Sequence, residues 1–121
     1  MAPLRHVVLL LLLLVAFTLA GCAKRPEGSG ADTPEQDAQG RYMIEAANSN
    51  RFIPATAKVP VGATVIWTSD GIHDVDHTGD AFKSQILQDG QTFTHTFTEP
   101  GEYDYVCNLH QPTMDGTIIV E

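Results

Sequence analysis

From Arg41 onward the chain is broken by turn signals about every ten residues, and no stretch between them carries a helical period of useful length. What remains is a series of short alternating runs. Arg41 to Ala47 can open a strand, Phe52 and Ile53 lead into Pro54, and Ala57 to Val61 makes a short second strand whose Pro60 suits a sheet edge. Val61-Gly62-Ala63 turns into Thr64 to Thr68, with Val65 and Trp67 on one face. Asp89-Gly90 is a strong turn, followed by Gln91 to Thr98, where Phe93, His95 and Phe97 alternate with threonines. Glu99-Pro100-Gly101 turns into a strand through Tyr103, and Thr117 to Val120 closes the chain. Such a pattern predicts an all-β fold, a two-sheet sandwich or barrel, and about 80 residues allow one domain with one modest core. There are no internal repeats.

The N-terminal part belongs to no fold. Arg5 gives a positive start, and Val7 to Ala20 is apolar except for Thr18. That run falls short of the roughly 20 residues a membrane-crossing helix needs. Residues 1–21 read as a secretory signal peptide with Leu19-Ala20-Gly21 as the small-residue cleavage site. Leu-Ala-Gly-Cys resembles the bacterial lipobox, which implies lipidation of Cys22 as the first mature residue. An uncleaved anchor helix is the alternative. Either reading puts the remainder outside the cytoplasm, at a periplasmic or other extracytoplasmic membrane face. Residues 22–40 then form the lipidated N-terminus and a flexible linker, since Ala23 to Gly40 is rich in Gly, Pro, Ser, Asp, Glu and Gln. A coil of that length reaches roughly 20–25 Å. The folded domain is 41–121.

Charge and cysteine count exclude several functions. The chain carries a net charge of −8, and loss of residues 1–21 removes Arg5 and no acid, leaving −9. A protein this acidic does not bind nucleic acid through phosphates; it is steered toward positively charged partners. With Cys22 acylated, Cys107 has no disulfide partner. A lone exported thiol becomes useful when a metal holds it as thiolate.

Gly101 to Met114 supplies the donors. Tyr103, Tyr105 and Cys107 share one strand face, with Glu102, Asp104 and Val106 on the other, and the loop beyond carries His110 and Met114. Thiolate, imidazole and thioether are the set copper prefers. A second histidine has to come from elsewhere. His6 leaves with the signal peptide, so His73, His77 and His95 remain. His73 and His77 follow the Trp67 strand; His73 can point with Val75, whereas His77 sits among Asp74, Asp76 and Asp80, a polar setting. His95 shares a face with Phe93 and Phe97, as a core-edge histidine satisfied by a hydrogen bond would. His73 is therefore favoured over His77, and His95 is structural.

Residues 50 to 121 resemble the cupredoxins, in particular the plastocyanin/amicyanin-like type 1 (blue) copper proteins. The resemblance is carried by Phe52-Ile53-Pro54, Val59-Pro60-Val61-Gly62, Thr64-Val65-Ile66-Trp67, His73-Asp74-Val75, Phe82-Lys83-Ser84, Gly90-Gln91-Thr92-Phe93, Pro100-Gly101-Glu102-Tyr103-Asp104-Tyr105, Cys107-Asn108-Leu109-His110 and Met114-Asp115-Gly116-Thr117-Ile118. It implies a cupredoxin-like Greek-key β-sandwich holding one Cu(I)/Cu(II) ion through His73, Cys107 and His110, with Met114 axial. The loop from Trp67 to His73 is about two residues shorter than is usual in that family. Ser69 stands where an asparagine commonly ties the two ligand loops, and three residues separate His110 from Met114 where relatives show two or four.

The implied function is a monomeric, membrane-tethered, mononuclear copper electron carrier. It would shuttle single electrons between a redox donor and acceptor by transient docking, with His110 passing the electron and Leu109, Pro112 and Ala81 as an apolar rim. The alternative is a copper carrier, buffer or sensor without an electron-transfer role. An enzyme fits poorly: dinuclear centres call for two cysteines in the loop, and multicopper oxidases need His-x-His pairs, neither of which is present. An axial thioether also argues against zinc.

Overall fold

The computed structural model of the chain describes residues 30–121. Residues 1–21, read above as a signal peptide, and Cys22 lie outside the described residues. Eight strands form: β1 (Tyr42–Ala47), β2 (Arg51–Ile53), β3 (Thr56–Val59), β4 (Thr64–Ser69), β5 (Asp76–His77), β6 (Thr92–Thr96), β7 (Gly101–Val106) and β8 (Asp115–Val120). A 3₁₀ turn, Asn108–His110, separates β7 from β8.

They make two four-stranded sheets, ordered β2-β1-β4-β6 and β3-β8-β7-β5. Pairs β1–β4 and β3–β8 are parallel, and the other neighbours are antiparallel. The fold is the all-β sandwich expected. β3, ending at Val59, is indeed an edge strand, with Pro60 just past its end where its missing N–H costs no ladder bond. The two-residue β5 has no alternating run to announce it.

Alternation fills the space between the sheets. Ile44 and Ala46 of β1, Val65 and Trp67 of β4, Tyr105 of β7, and Ile118 and Val120 of β8 are buried at period 2. Trp67 is at the middle, with ring centroids 5.6 to 5.7 Å from Phe82, Phe93 and Tyr105. Each such large side chain contributes on the order of 1.5–3 kcal/mol by leaving water. Tyr105 lies over Gly116, its partner in the β7–β8 ladder. A Cβ at Gly116 would stand 2.5 Å from the ring and hydroxyl of Tyr105.

Ahead of β1, the stretch whose composition predicts a free linker is bound to the domain from Asp32 on. Asp32 N–H donates to Thr56 O (3.0 Å) and Lys58 N–H to Asp32 O (2.8 Å), while Met43 N–H donates to Glu35 O (2.8 Å). Pro34 between them is buried. The physical reason is edge protection. β2 pairs only Glu45–Ala47, which leaves the Tyr42–Met43 edge of β1 open, and β3 is itself an edge. Polar backbone can bind such edges however polar its side chains are.

Candidate metal centre

The parallel β1–β4 pairing sends β4 toward one end of the sandwich, and β7 arrives there beside it. Two loops meet at that end. The first follows Ser69. It is pinned by Ser69 N–H to Gln91 O (2.9 Å), Asp70 N–H to Ala46 O (2.8 Å) and Gly71 N–H to Asp89 Oδ1 (3.1 Å). Gly71 has φ +104°, a region that favours glycine. Residues 73–76 then pair with 83–87. His73 and Leu87 exchange backbone bonds of 3.1 and 2.7 Å, Ser84 N–H donates to Val75 O (2.8 Å), and Val75 N–H donates to Ser84 Oγ (2.8 Å). His73 is thus fixed by a short ladder that spans about ten residues of connection.

The second loop follows Val106. Cys107 N–H donates to Met114 O (3.0 Å), closing the base, while His110 N–H to Cys107 O and Thr113 N–H to His110 O, both 3.2 Å, tighten the turn inside. Cys107 and Met114 are buried, and His110 is half-buried.

Across the gap, three donor atoms converge. His73 Nδ1 is 3.3 Å from His110 Nδ1 and 3.9 Å from Cys107 Sγ, and His110 Nδ1 is 3.4 Å from the same sulfur. A point equidistant from the three lies about 2 Å from each, the length of a metal bond to imidazole nitrogen or slightly under that to thiolate sulfur. Among the described residues no other trio of His, Cys, Asp or Glu gathers this way. Two imidazoles and a thiolate suit copper.

The surroundings set the tautomer of one donor and the acidity of another. His73 Nε2 faces Asp70 O at 3.1 Å, so the ring donates there and turns the lone pair of Nδ1 inward. Burial pushes the Cys107 thiol up, and the Asp74 carboxylate adds to the rise, against the N–H groups of Asp74 and Leu109. A buried thiol in that position gains from a cation that takes the place of its proton.

The other histidines stay away from this point. His77 lies opposite Tyr105 in the β5–β7 ladder and stacks on Phe82, with centroids 5.0 Å apart and 19° between planes. The polar, solvated setting expected for it is thus half wrong: Phe82 covers one face, and Nδ1 accepts from Ala81 N–H (2.9 Å). His95 packs on Phe82 (4.9 Å) and Phe97 (4.8 Å), held by rings and without a hydrogen bond to its own ring among the described residues.

Two further expectations change. Ser69 does not tie the loops together; its hydroxyl donates to Gly71 O (3.1 Å) in its own loop. Asp74 does so instead. Its Oδ1 accepts from Asn108 N–H (2.7 Å) and its Oδ2 from Asn108 Nδ2–H (2.8 Å). An acid between His73 and Val75, pointing opposite to both at period 2, was the available signal. Ala81 is also misplaced as a rim residue, since it lines a cavity with His95, Phe97, Glu99 and Tyr103. The exposed apolar side chains adjoining the centre in sequence are Leu109 (46 % exposed), Ile72 (51 %), beside His73, and Ile86 (54 %), beside Leu87.

The chain is similar in sequence and fold to known proteins. Residues 41–121 match the family described as copper binding proteins, plastocyanin/azurin family. Halocyanin of Natronomonas pharaonis is 37 % identical over 89 residues, covering 65 % of this chain and 55 % of its own length. Amicyanin of Paracoccus denitrificans is 33 % identical over 91 residues, covering 69 % of this chain and 68 % of its own. Thus the chain spans between about half and two thirds of these relatives. Among solved structures, a purple cupredoxin from Nitrosopumilus maritimus superposes with a TM-score of 0.61 at 30 % identity, over 65 % of this chain and 98 % of that one. An oxidized amicyanin variant gives 0.63 at 31 %, over 75 % and 94 %.

Proposed function

Because the chain belongs to the plastocyanin/azurin family of copper-binding proteins, we propose that it carries single electrons between redox proteins. In this reading copper would be held by His73 Nδ1, Cys107 Sγ and His110 Nδ1, with the buried thioether of Met114 as a fourth, weaker donor. The observation that carries it is the trio of donors, 3.3 to 3.9 Å apart, coming from two loops that are each anchored to the sandwich. Copper bound there would supply a one-electron couple.

The chain's own residues do the rest. Asp70 O keeps His73 in one tautomer and one orientation. The Asp74 and Leu109 N–H groups direct themselves at the Cys107 sulfur and steady its negative charge. Backbone bonds at both ends of each loop hold the donors where they are in either redox state, so little has to move when an electron passes. Burial of Cys107 and Met114 keeps water from the sulfur side, whereas half-buried His110 is the contact between the centre and a docked partner. Leu109, Ile72 and Ile86 suit a brief, small apolar contact there. The acidic remainder steers positively charged partners.

Export and attachment to a membrane by a lipid on Cys22 belong to the same proposal, supported by Leu19-Ala20-Gly21-Cys22, as does the monomeric state.

The test is the visible spectrum of the purified chain after addition of Cu(II). An intense band that ascorbate bleaches, and that Cys107→Ser removes, is the expected result. A colourless protein, or colour surviving in Cys107→Ser, overturns the reading.

A further inference from the structure

The bond between the two loops has an unusual sign. Its acceptor is a carboxylate only 7 % exposed, one residue from His73, and both donors belong to Asn108, one residue from Cys107. A carboxylate accepting on both oxygens uses the bonding capacity of its ionised form. The nearby ammonium group is engaged elsewhere: Lys83 Nζ bonds Asp76 Oδ2 at 2.6 Å. Asp76 also accepts from Asn108 Nδ2–H (2.8 Å), but its charge has a cation against it and its side chain is 18 % exposed. Of two acids on one network, Asp76 is therefore neutralised at the surface. Asp74 meets amide donors alone, within the protein, one residue from His73 and bonded to the residue that follows Cys107.

Position matters because the two redox states differ by one charge. The oxidised centre carries one more positive charge than the reduced centre. A fixed negative charge at its side therefore stabilises the oxidised state preferentially, and water or salt screens a buried charge less than an exposed one.

We propose that Asp74 is a positioning residue that sets the redox preference of the centre: bound to Asn108 across the two ligand loops, its carboxylate keeps a negative charge against Cys107 and biases the site toward the oxidised state. The inference rests on the electron-carrier reading above. A neutral residue making the same cross-loop bonds would tie the loops equally well and leave that bias out, which separates a charge role from a merely structural one.

The experiment compares reduction potentials of the copper-loaded full chain and three variants. Asp74→Asn keeps an oxygen for Asn108 N–H but turns a donor toward Asn108 Nδ2. Asp74→Asn with Asn108→Ser relieves that conflict, giving a neutral tie. Asp76→Asn removes the acid already paired with Lys83. The melting temperature of each apo form reports on the tie itself. Both Asp74 variants are expected to keep the visible band and to shift the Cu(I):Cu(II) ratio at a fixed potential about tenfold toward Cu(I), at the lower end of typical coupling between sites. For one electron that is an upward shift of about 59 mV. Asp76→Asn is expected to change the ratio less than about twofold.

Several outcomes overturn the proposal. The potential could stay put while the band persists in both Asp74 variants. Asp76→Asn could raise it as much as they do, which would make the effect one of general surface charge. Both Asp74 variants could lose the band while the unsubstituted chain keeps it, which would make Asp74 a structural tie. An unsubstituted chain with no band on Cu(II) addition would instead sink the electron-carrier reading, and the proposal with it.

Discussion

The described residues hold two pairs of histidines, and each pair has something different between its rings. His73 and His110 lie 5.0 Å apart at 56°, with the Cys107 sulfur within 3.9 Å of both Nδ1 atoms. His77 and His95 both lie against Phe82, at 5.0 and 4.9 Å. In the first pair the nitrogens converge; in the second, ring faces do. Identical side chains thus become candidate metal donors or packing elements according to the neighbour they share. An electron-rich sulfur in a buried cleft calls for a cation, while a phenyl ring is satisfied by contact alone.

The contrast breaks most sharply at the histidines themselves. His73→Ala is expected to abolish or badly alter the visible copper band, and His77→Ala to leave it intact. Titration with Cu(II) followed by absorption decides, and equal effects would erase the distinction between the pairs.

Next in size is Phe82→Ala, which removes the ring shared by the second pair and by Trp67. Emptying such a core site costs about 3–5 kcal/mol. Denaturant unfolding of the apo chain should reveal that loss, with the position of the copper band unchanged in the folded protein. His73→Ala should do the reverse.

Gly116→Ala acts between the two regions, because the added methyl meets Tyr105, whose ring also touches Trp67 and Phe82. Overpacking there is expected to cost about 1–3 kcal/mol, read as a lower denaturation midpoint. Neither histidine pair loses a contact of its own.

The smallest effect is one of pH. Burial, with the charge of His77 behind it, holds the His95 imidazole below its ordinary 6.5. As pH falls through 6.5 the unfolded chain takes up a proton that the folded chain still refuses, so stability drops until the folded value is passed. His95→Phe should flatten that acid-side slope in apo unfolding curves. A slope left unchanged would mean that His95 is charged as readily in the fold as outside it.

Much of this was legible in the residues. Period-2 alternation fixed which faces of β4 and β7 are buried, because side chains on a strand alternate whatever it pairs with. The residue that ties the loops, left open at Ser69, the Ala81 rim and the free coil up to Gly40 escaped the sequence for one reason: each depended on what lies across a gap. Ser69 turns back to Gly71, Ala81 follows the β5 turn toward Tyr103, and Asp32 finds the open edge of β3. No spacing along the chain encodes those partners.

That Cys107 and His110 share the loop that ends at Met114 was determined by sequence alone, since one tight turn holds them and its geometry is local. His73 was favoured over His77 from the residues, but its convergence with Cys107 and His110, and the acid that ties the loops, were decided only in three dimensions. His73 and His77 are four residues apart on the same alternating face, and Asp74 and Asp76 are two apart. The register that sets His77 opposite Tyr105 carries His77 onto Phe82 and leaves His73 beside Cys107. Such a choice belongs to pairing between strands, whose energy comes from contacts far apart in the chain.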